Sequence, residues 1–92
     1  MKFVWDDEKN ENNIVKHKVS FREASTIFLD DKKVIYDDVA HSFDEERFIA
    51  IGRSYKRNIL IVCYCEREND IIRIISARKA DKNEKEVYYA NS

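Results

Sequence analysis

The sequence predicts an α+β domain in which helices pack on a mostly antiparallel sheet. Residues 47–53, 58–66 and 71–78 ("RFIAIGR", "NILIVCYCE", "IIRIISAR") are rich in β-branched side chains, and four polar residues separate each run from the next. Such runs read as strands joined by hairpins. Ahead of them lie two stretches with helix caps and helical spacing of apolar residues. Proline is absent and glycine occurs once, at Gly52, which leaves little room for long irregular loops.

Each element follows from local chemistry. "KFVW" (2–5) alternates weakly and reads as a short strand. Asp6 caps a helix beginning "DEKNENNIVKHK", with Asp7 and Glu8 in its first turn and Lys16, His17 and Lys18 in its last, so both ends match the helix dipole. In "VSFREASTIF", Ser20 and Glu23 have capping-box spacing, and Val19 and Ala24 hold the staple positions. Phe21, Ala24, Ile27 and Phe28 then form one apolar stripe. Residues 30–46 are acidic; "VIY" makes a short strand there and the rest, with His41, reads as solvated loop. Asp81 and Glu84 repeat the cap-and-acid spacing and open a last helix, "KNEKEVYYA". The order is β-α-α-β-β-β-β-α.

Ninety-two residues fit one domain spanning 1–92. With 43% apolar and 38% charged residues, the chain is globular with an ionic surface. No apolar run approaches the roughly 18–20 residues of a membrane span, and the first sixteen residues are too polar for a signal peptide. A cytoplasmic protein with no membrane partner is expected. Cys63 and Cys65 stand two apart on one strand, so they share a face and a bridge between them would be strained. Without CxxC or clustered histidines, no metal and no other cofactor is expected. Charge is unevenly spread: residues 1–46 carry 7 Lys/Arg against 12 Asp/Glu, and residues 47–92 carry 10 against 6. The second half therefore offers a surface for a polyanion.

Hairpin arithmetic places some of those cations. If "SYKR" and "REND" are both four-residue loops, Arg53 pairs with Asn58 and Glu66 with Ile71. Arg47, Tyr64 and Arg73 then form one row across three strands, with Phe48, Cys63 and Ile74 on the opposite, core face. Guanidinium forks match phosphate oxygens, and a phenol can donate a proton or stack on a base. The same row could equally be a cation–π cluster closing the end of a sheet. His17 ends a helix whose Lys9, Asn13 and Lys16 recur on one face, and an imidazole there can take or give a proton near neutrality. Arg78 and Lys79 lead into the last helix, where backbone N–H groups also attract anions. No GxxxxGKS, GxSxG or HExxH motif is present.

Three ordered motifs carry a family resemblance: W-D-x-x-K-x-x-x-N-x-x-K-H from Trp5, D-E-E-R-x-x-x-I-G from Asp44, and I-R-I-I-S-A-R-K-A from Ile72. Together they resemble the BrnT toxins of bacterial type II toxin–antitoxin systems over nearly the whole chain. The resemblance implies a RelE-like fold, metal-independent cleavage of RNA and translational arrest. It also implies neutralisation by a BrnA-like ribbon-helix-helix antitoxin, whose dimer carries two toxins and alone contacts DNA. The matched polar positions are Asp6, Lys9, Asn13, Lys16, His17, Glu46, Arg47, Arg73, Ser76, Arg78, Lys79 and Glu84. Two positions depart from the family pattern: Cys65 stands where threonine is common, and Phe43 where an acid is common.

From these positions Arg47 and Arg73 are expected to stabilise charge on the phosphorane. Tyr64 and His17 compete as acid and base, with Glu46 as an alternative base. Lys9, Lys16, Arg78 and Lys79 are expected to hold RNA phosphates. The alternatives are a binding module that acts without chemistry through its antitoxin–DNA complex, and a DNA-binding accessory protein. The last is disfavoured because no helix is basic along its length.

Overall fold

Five strands form one sheet in the order β1-β5-β4-β3-β2, where β1 is Lys2–Val4, β2 Val34–Asp37, β3 Arg47–Arg53, β4 Ile59–Arg67 and β5 Ile71–Lys79. All pairings are antiparallel except that of β1 with β5. Helices α1 (Asp7–His17), α2 (Phe21–Ser25) and α3 (Lys82–Ala90) complete the fold, with 3₁₀ turns at Thr26–Leu29 and Val39–His41. The computed structural model describes residues 1–42 and 44–91; the departure at Phe43 lies outside the described residues. The expected element order and the mostly antiparallel sheet are both found.

The caps form largely as the sequence predicts. Asp6 accepts from the Glu8 amide at 3.2 Å, and Lys18 ends α1 in the left-handed region at φ 60°. The Asp81–Glu84 box is complete, with bonds of 2.8 and 2.9 Å. The Ser20–Glu23 box is not. Ser20 Oγ accepts from the Glu23 amide at 3.0 Å, but the Glu23 carboxylate turns inward instead of returning to Ser20. There it accepts from Ser54 Oγ at 2.7 Å and Asn58 Nδ2 at 2.9 Å, tying α2 to the β3–β4 connection. A buried carboxylate needs partners of this kind, and two are available inside.

The sheet has a core on each face. Phe21, Ala24, Ile27 and Phe28, the predicted stripe, pack with Leu60, Val62, Tyr64 and Ile74 beneath α1 and α2. On the other face Tyr88 of α3 packs with Ile51, Ile59 and Ile61. Gly52 is required by close approach: a Cβ there would lie 2.9 Å from the Ile27 Cβ.

Both four-residue loops are corrected. The β3–β4 connection closes at Arg53–Ile59 and holds five residues, whereas the β4–β5 turn closes at Arg67–Ile71 and holds three, with Asn69 and Asp70 at φ 65° and 61°. Each change shifts β4 by one residue, and a one-residue slip exchanges faces. The row is therefore Arg47–Cys65–Arg73, while Tyr64 stands in the core row Phe48–Tyr64–Ile74. Tyr64 is 1% exposed, with its ring 5.0 Å from Phe28 and 5.6 Å from Phe48. Burial, with the charge of Glu66, pushes its phenol up to about 12.

Strand β5 also breaks strict alternation. Cys63 pairs with Ser76 but Tyr64 with Ile74, so Ile75 is an extra residue opposite the Cys63–Tyr64 step. Ile72, Ile74 and Ala77 consequently all reach the α1/α2 core. Arg73, Ser76 and Arg78 lie on the other face, although Arg73 and Arg78 are five residues apart and strict alternation would separate them.

Past Arg73, β1 no longer covers the edge of β5, and Asn13 of α1 closes it. Its buried amide donates from Nδ2 to Ala77 O and to Val19 O, both at 2.8 Å, and accepts from the Ala77 amide at 3.2 Å. Asn13→Ala strips three buried backbone groups of their partner, each costing about 1–3 kcal/mol when unsatisfied. Partial relaxation brings the expected loss to about 3 kcal/mol, measured from the urea midpoint with the slope unchanged. A loss below about 0.5 kcal/mol, the level of an ordinary surface change, would show that the edge closure is dispensable.

Candidate active site

The site is assembled where β2 passes into β3. The Asp38 amide donates to Arg47 O at 2.9 Å. Ser42 Oγ donates to Asp38 O at 2.7 Å and accepts from the Arg47 amide at 2.9 Å. These bonds fix a segment whose acidic composition alone predicts a solvated loop. Within it, His41 Nδ1 lies 3.0 and 3.1 Å from the two Asp38 carboxylate oxygens. The side chains differ sharply in exposure, 64% for His41 and 9% for Asp38. Asp38 also meets Cys63, whose Sγ lies 3.7 Å from Oδ2. Burial, then the nearby Asp38 charge, pushes the Cys63 thiol up to about 11, so it remains protonated at neutral pH and is no nucleophile.

Asp38, His41, Arg47, Cys63, Ser76 and Arg78 line one depression of about 350 Å³, floored by Ile49, Ile61 and Ile75. The Arg47 and Arg73 guanidiniums make no hydrogen bond or ion pair among the described residues. Two strand spacings across Cys65 put their Cα atoms about 10 Å apart. Arg78 differs: Nη1 and Nη2 each donate to Glu84 at 2.7 Å, so an internal carboxylate fills the fork. That bidentate bond, with the Asp81 amide, holds the Glu84 carboxyl below the usual carboxylate range despite partial burial.

On the other side of Ile75 and Ser76 lies a second depression of about 220 Å³, between α1 and β5, lined by Lys9, Asn12, Asn13, Lys16 and His17. The β5 bulge is thus a ridge with cationic groups on both flanks. Arg47, Arg73, His17, Lys9 and Lys16 are brought around it. Other sequence-selected residues are not. Tyr64 is in the core, and Lys79 lines a different hollow with Arg57, Lys85 and Tyr89. Glu46 is exposed ahead of β3 with no side-chain partner among the described residues, while its neighbour Glu45 pairs with Arg67 at 3.0 Å. The sequence reading missed Asp38 and His41 as a pair; their i, i+3 spacing, which puts two side chains on one side of a helical turn, was the available signal.

Among the described residues, this small α+β sheet sets two arginines without partners beside a histidine–carboxylate pair, and guanidinium forks of that kind match phosphate oxygens. Residues 5–84 match the family model described as the ribonuclease toxin, BrnT, of type II toxin–antitoxin systems, and the chain belongs to that family. Its resemblance to BrnT is thereby confirmed, and with it a place as the toxin of a module that includes an antitoxin. Among solved structures, the crystal structure of the Brucella abortus ribonuclease toxin BrnT is similar, with a TM-score of 0.68 and 24% identity over 89% of this chain and 99% of that one. That likeness establishes a shared fold. No curated protein matches the sequence. Among the described residues, no helix is long and apolar enough to cross a membrane.

The Arg78–Glu84 pair gives a pH-dependent prediction. A carboxyl whose folded pKa is depressed contributes stability above its unfolded pKa, and this is lost as pH falls through the folded value. The Arg78 and Glu84 side chains are 43% and 21% exposed, so solvent screening limits the pair to about 1 kcal/mol. Glu84→Gln should lower stability by that amount at pH 7, and the gap should close as pH falls below about 4.3, the ordinary glutamate value. Urea midpoints measured across pH check this, and a gap unchanged in acid would contradict it.

Proposed function

We propose that this protein is a metal-independent endoribonuclease that arrests translation in the cytoplasm. In this reading a BrnA-like ribbon-helix-helix antitoxin holds it in check, two toxins sit on one antitoxin dimer, and DNA is reached only through that antitoxin. The observation that carries the enzymatic part is that Arg47 and Arg73, on one open face, have no partner among the described residues and lie beside a depression large enough for a nucleotide's phosphate and sugar. The family description as a ribonuclease toxin supports the choice of RNA over other phosphates.

The chemistry follows from charge. Attack of a ribose 2′-hydroxyl on its own phosphodiester builds negative charge on the non-bridging oxygens, and fixed cations aimed there supply the largest stabilising effect. Arg47 and Arg73 fill that role. Lys9 and Lys16, across the bulge with His17, hold neighbouring phosphates by point charge. Arg78, already forked onto Glu84, walls the depression, and Lys79 is left to a phosphate further along the strand. Buried Tyr64 is too far inside to serve as acid or base to an RNA on this face.

Purified protein should cleave total RNA in the presence of EDTA. Arg47→Ala and Arg73→Ala should each slow cleavage about a hundredfold, the roughly 3 kcal/mol typical of one lost electrostatic stabiliser, with thermal midpoints within a few degrees of wild type. Intact RNA in EDTA that is cleaved once magnesium is restored would contradict the metal-independent reading.

A further inference from the structure

We propose that His41, oriented by the buried carboxylate of Asp38, takes the proton from the attacking 2′-hydroxyl, an assignment that rests on the ribonuclease reading above. Both Asp38 oxygens lie within hydrogen-bond distance of Nδ1, and an ionised carboxylate can only accept. The ring proton therefore sits on Nδ1, which leaves the Nε2 lone pair directed away from Asp38 as a base. The ring is largely exposed while its partner is buried, so the base is presented to a substrate and its orienter is shielded from water. The segment that carries both is stitched to Arg47 by backbone and Ser42 hydrogen bonds, which holds base and phosphate-binding cation in one frame.

No other titratable group around the bulge has this combination. His17 lines the α1 depression but has no partner among the described residues to select a tautomer. Glu46 has no partner either, and the Cys63 thiol itself leans on Asp38. Asp38 thereby serves as a positioning residue for His41 and as acceptor for Cys63.

The reaction balances without a metal or cofactor. The 2′-hydroxyl proton passes to Nε2 as O2′ forms its bond to phosphorus, with Arg47 beside the non-bridging oxygens. The P–O5′ bond breaks with its electron pair on O5′, which takes a proton from water. The hydroxide so formed is neutralised when the imidazolium releases its proton. The products are a 2′,3′-cyclic phosphate and a 5′-hydroxyl end.

The test is steady-state cleavage of a defined RNA oligonucleotide by wild type, His41→Gln, His41→Ala and Asp38→Asn, with folding checked by circular dichroism. His41→Gln should lose about a hundredfold or more in kcat, the usual contribution of a positioned base, with little change in KM. The His41→Ala rate should partly recover on addition of imidazole, which a purely structural role would not allow. Asp38→Asn should also reduce kcat at nearly constant KM, because an amide can donate to Nδ1 and so favour the tautomer with Nε2 protonated. If wild type cleaves RNA and His41→Gln cleaves it equally fast, or loses only in KM, the assignment is overturned while the ribonuclease reading stands. If the wild-type protein itself leaves RNA intact, both fall together.

Discussion

One side-chain amide, that of Asn13, ties together three parts of the chain: α1, the edge of β5 and the segment that follows α1. It satisfies both backbone groups of Ala77 on the open edge of β5, and also the Val19 carbonyl beyond the end of α1. An uncovered strand edge is a template for pairing with other chains, and the Asn13 amide closes it by donating both its N–H groups and accepting once at Oδ1. The lock has a second effect. It anchors β5 immediately after the bulge, so the extra residue at Ile75 stays in place and Arg73, Ser76 and Arg78 stay on one face. It also fixes α1 against β5, which sets Lys9, Lys16 and His17 beside Ser76.

The charged groups divide into those used by the fold and those left for the site. Arg78 is forked onto Glu84, Arg67 pairs with Glu45, and the N-terminal amine with Asp70. Arg53 lies over Tyr88 and Tyr89 at 5.9 and 5.8 Å and donates to the Tyr89 hydroxyl. Arg47 and Arg73, both part-buried on the sheet, have no such partner among the described residues, although an arginine held in place without an anion gives up favourable pairing. Two cations on one sheet face, held on ordered strands without an acidic partner among the described residues, are poor design for stability and good design for a polyanion.

The helix caps, the strand positions and the α+β class were legible because each depends on residues close together in sequence. The Asp81–Glu84 box and the Phe21–Phe28 stripe needed no knowledge of the rest of the chain. Register was not legible, because it turns on loop lengths set by backbone conformations that no glycine announces. Arg57, Asn69 and Asp70 all adopt positive φ, at 68°, 65° and 61°. The bulge at Ile75 is likewise silent in a run of β-branched residues. The cations of the candidate site, Arg47, Arg73, Lys9 and Lys16, were legible as charged residues on strand and helix positions. The His41–Asp38 pair shows in the sequence only as an i, i+3 spacing, since an acidic stretch without apolar periodicity reads as solvated until the bonds that tie Asp38 and Ser42 to Arg47 are seen. Asn13 matched the family pattern as a polar residue on a helix face, and only the tertiary structure reveals that it points inward.

The central claim is that RNA lies across the β5 bulge, between the Arg47 and His17 sides. The most direct test is NMR titration of the isotope-labelled protein with an RNA oligonucleotide whose attacking 2′-hydroxyls are replaced by hydrogen, so that it binds without being cleaved. The account predicts that the largest shifts fall on His41, Arg47, Arg73 and Ser76 and on Lys16 and His17 across the ridge, as one contiguous set. Shifts centred instead on the Arg53–Arg57 connection and the Lys79–Lys85 region, with the bulge unaffected, would contradict it.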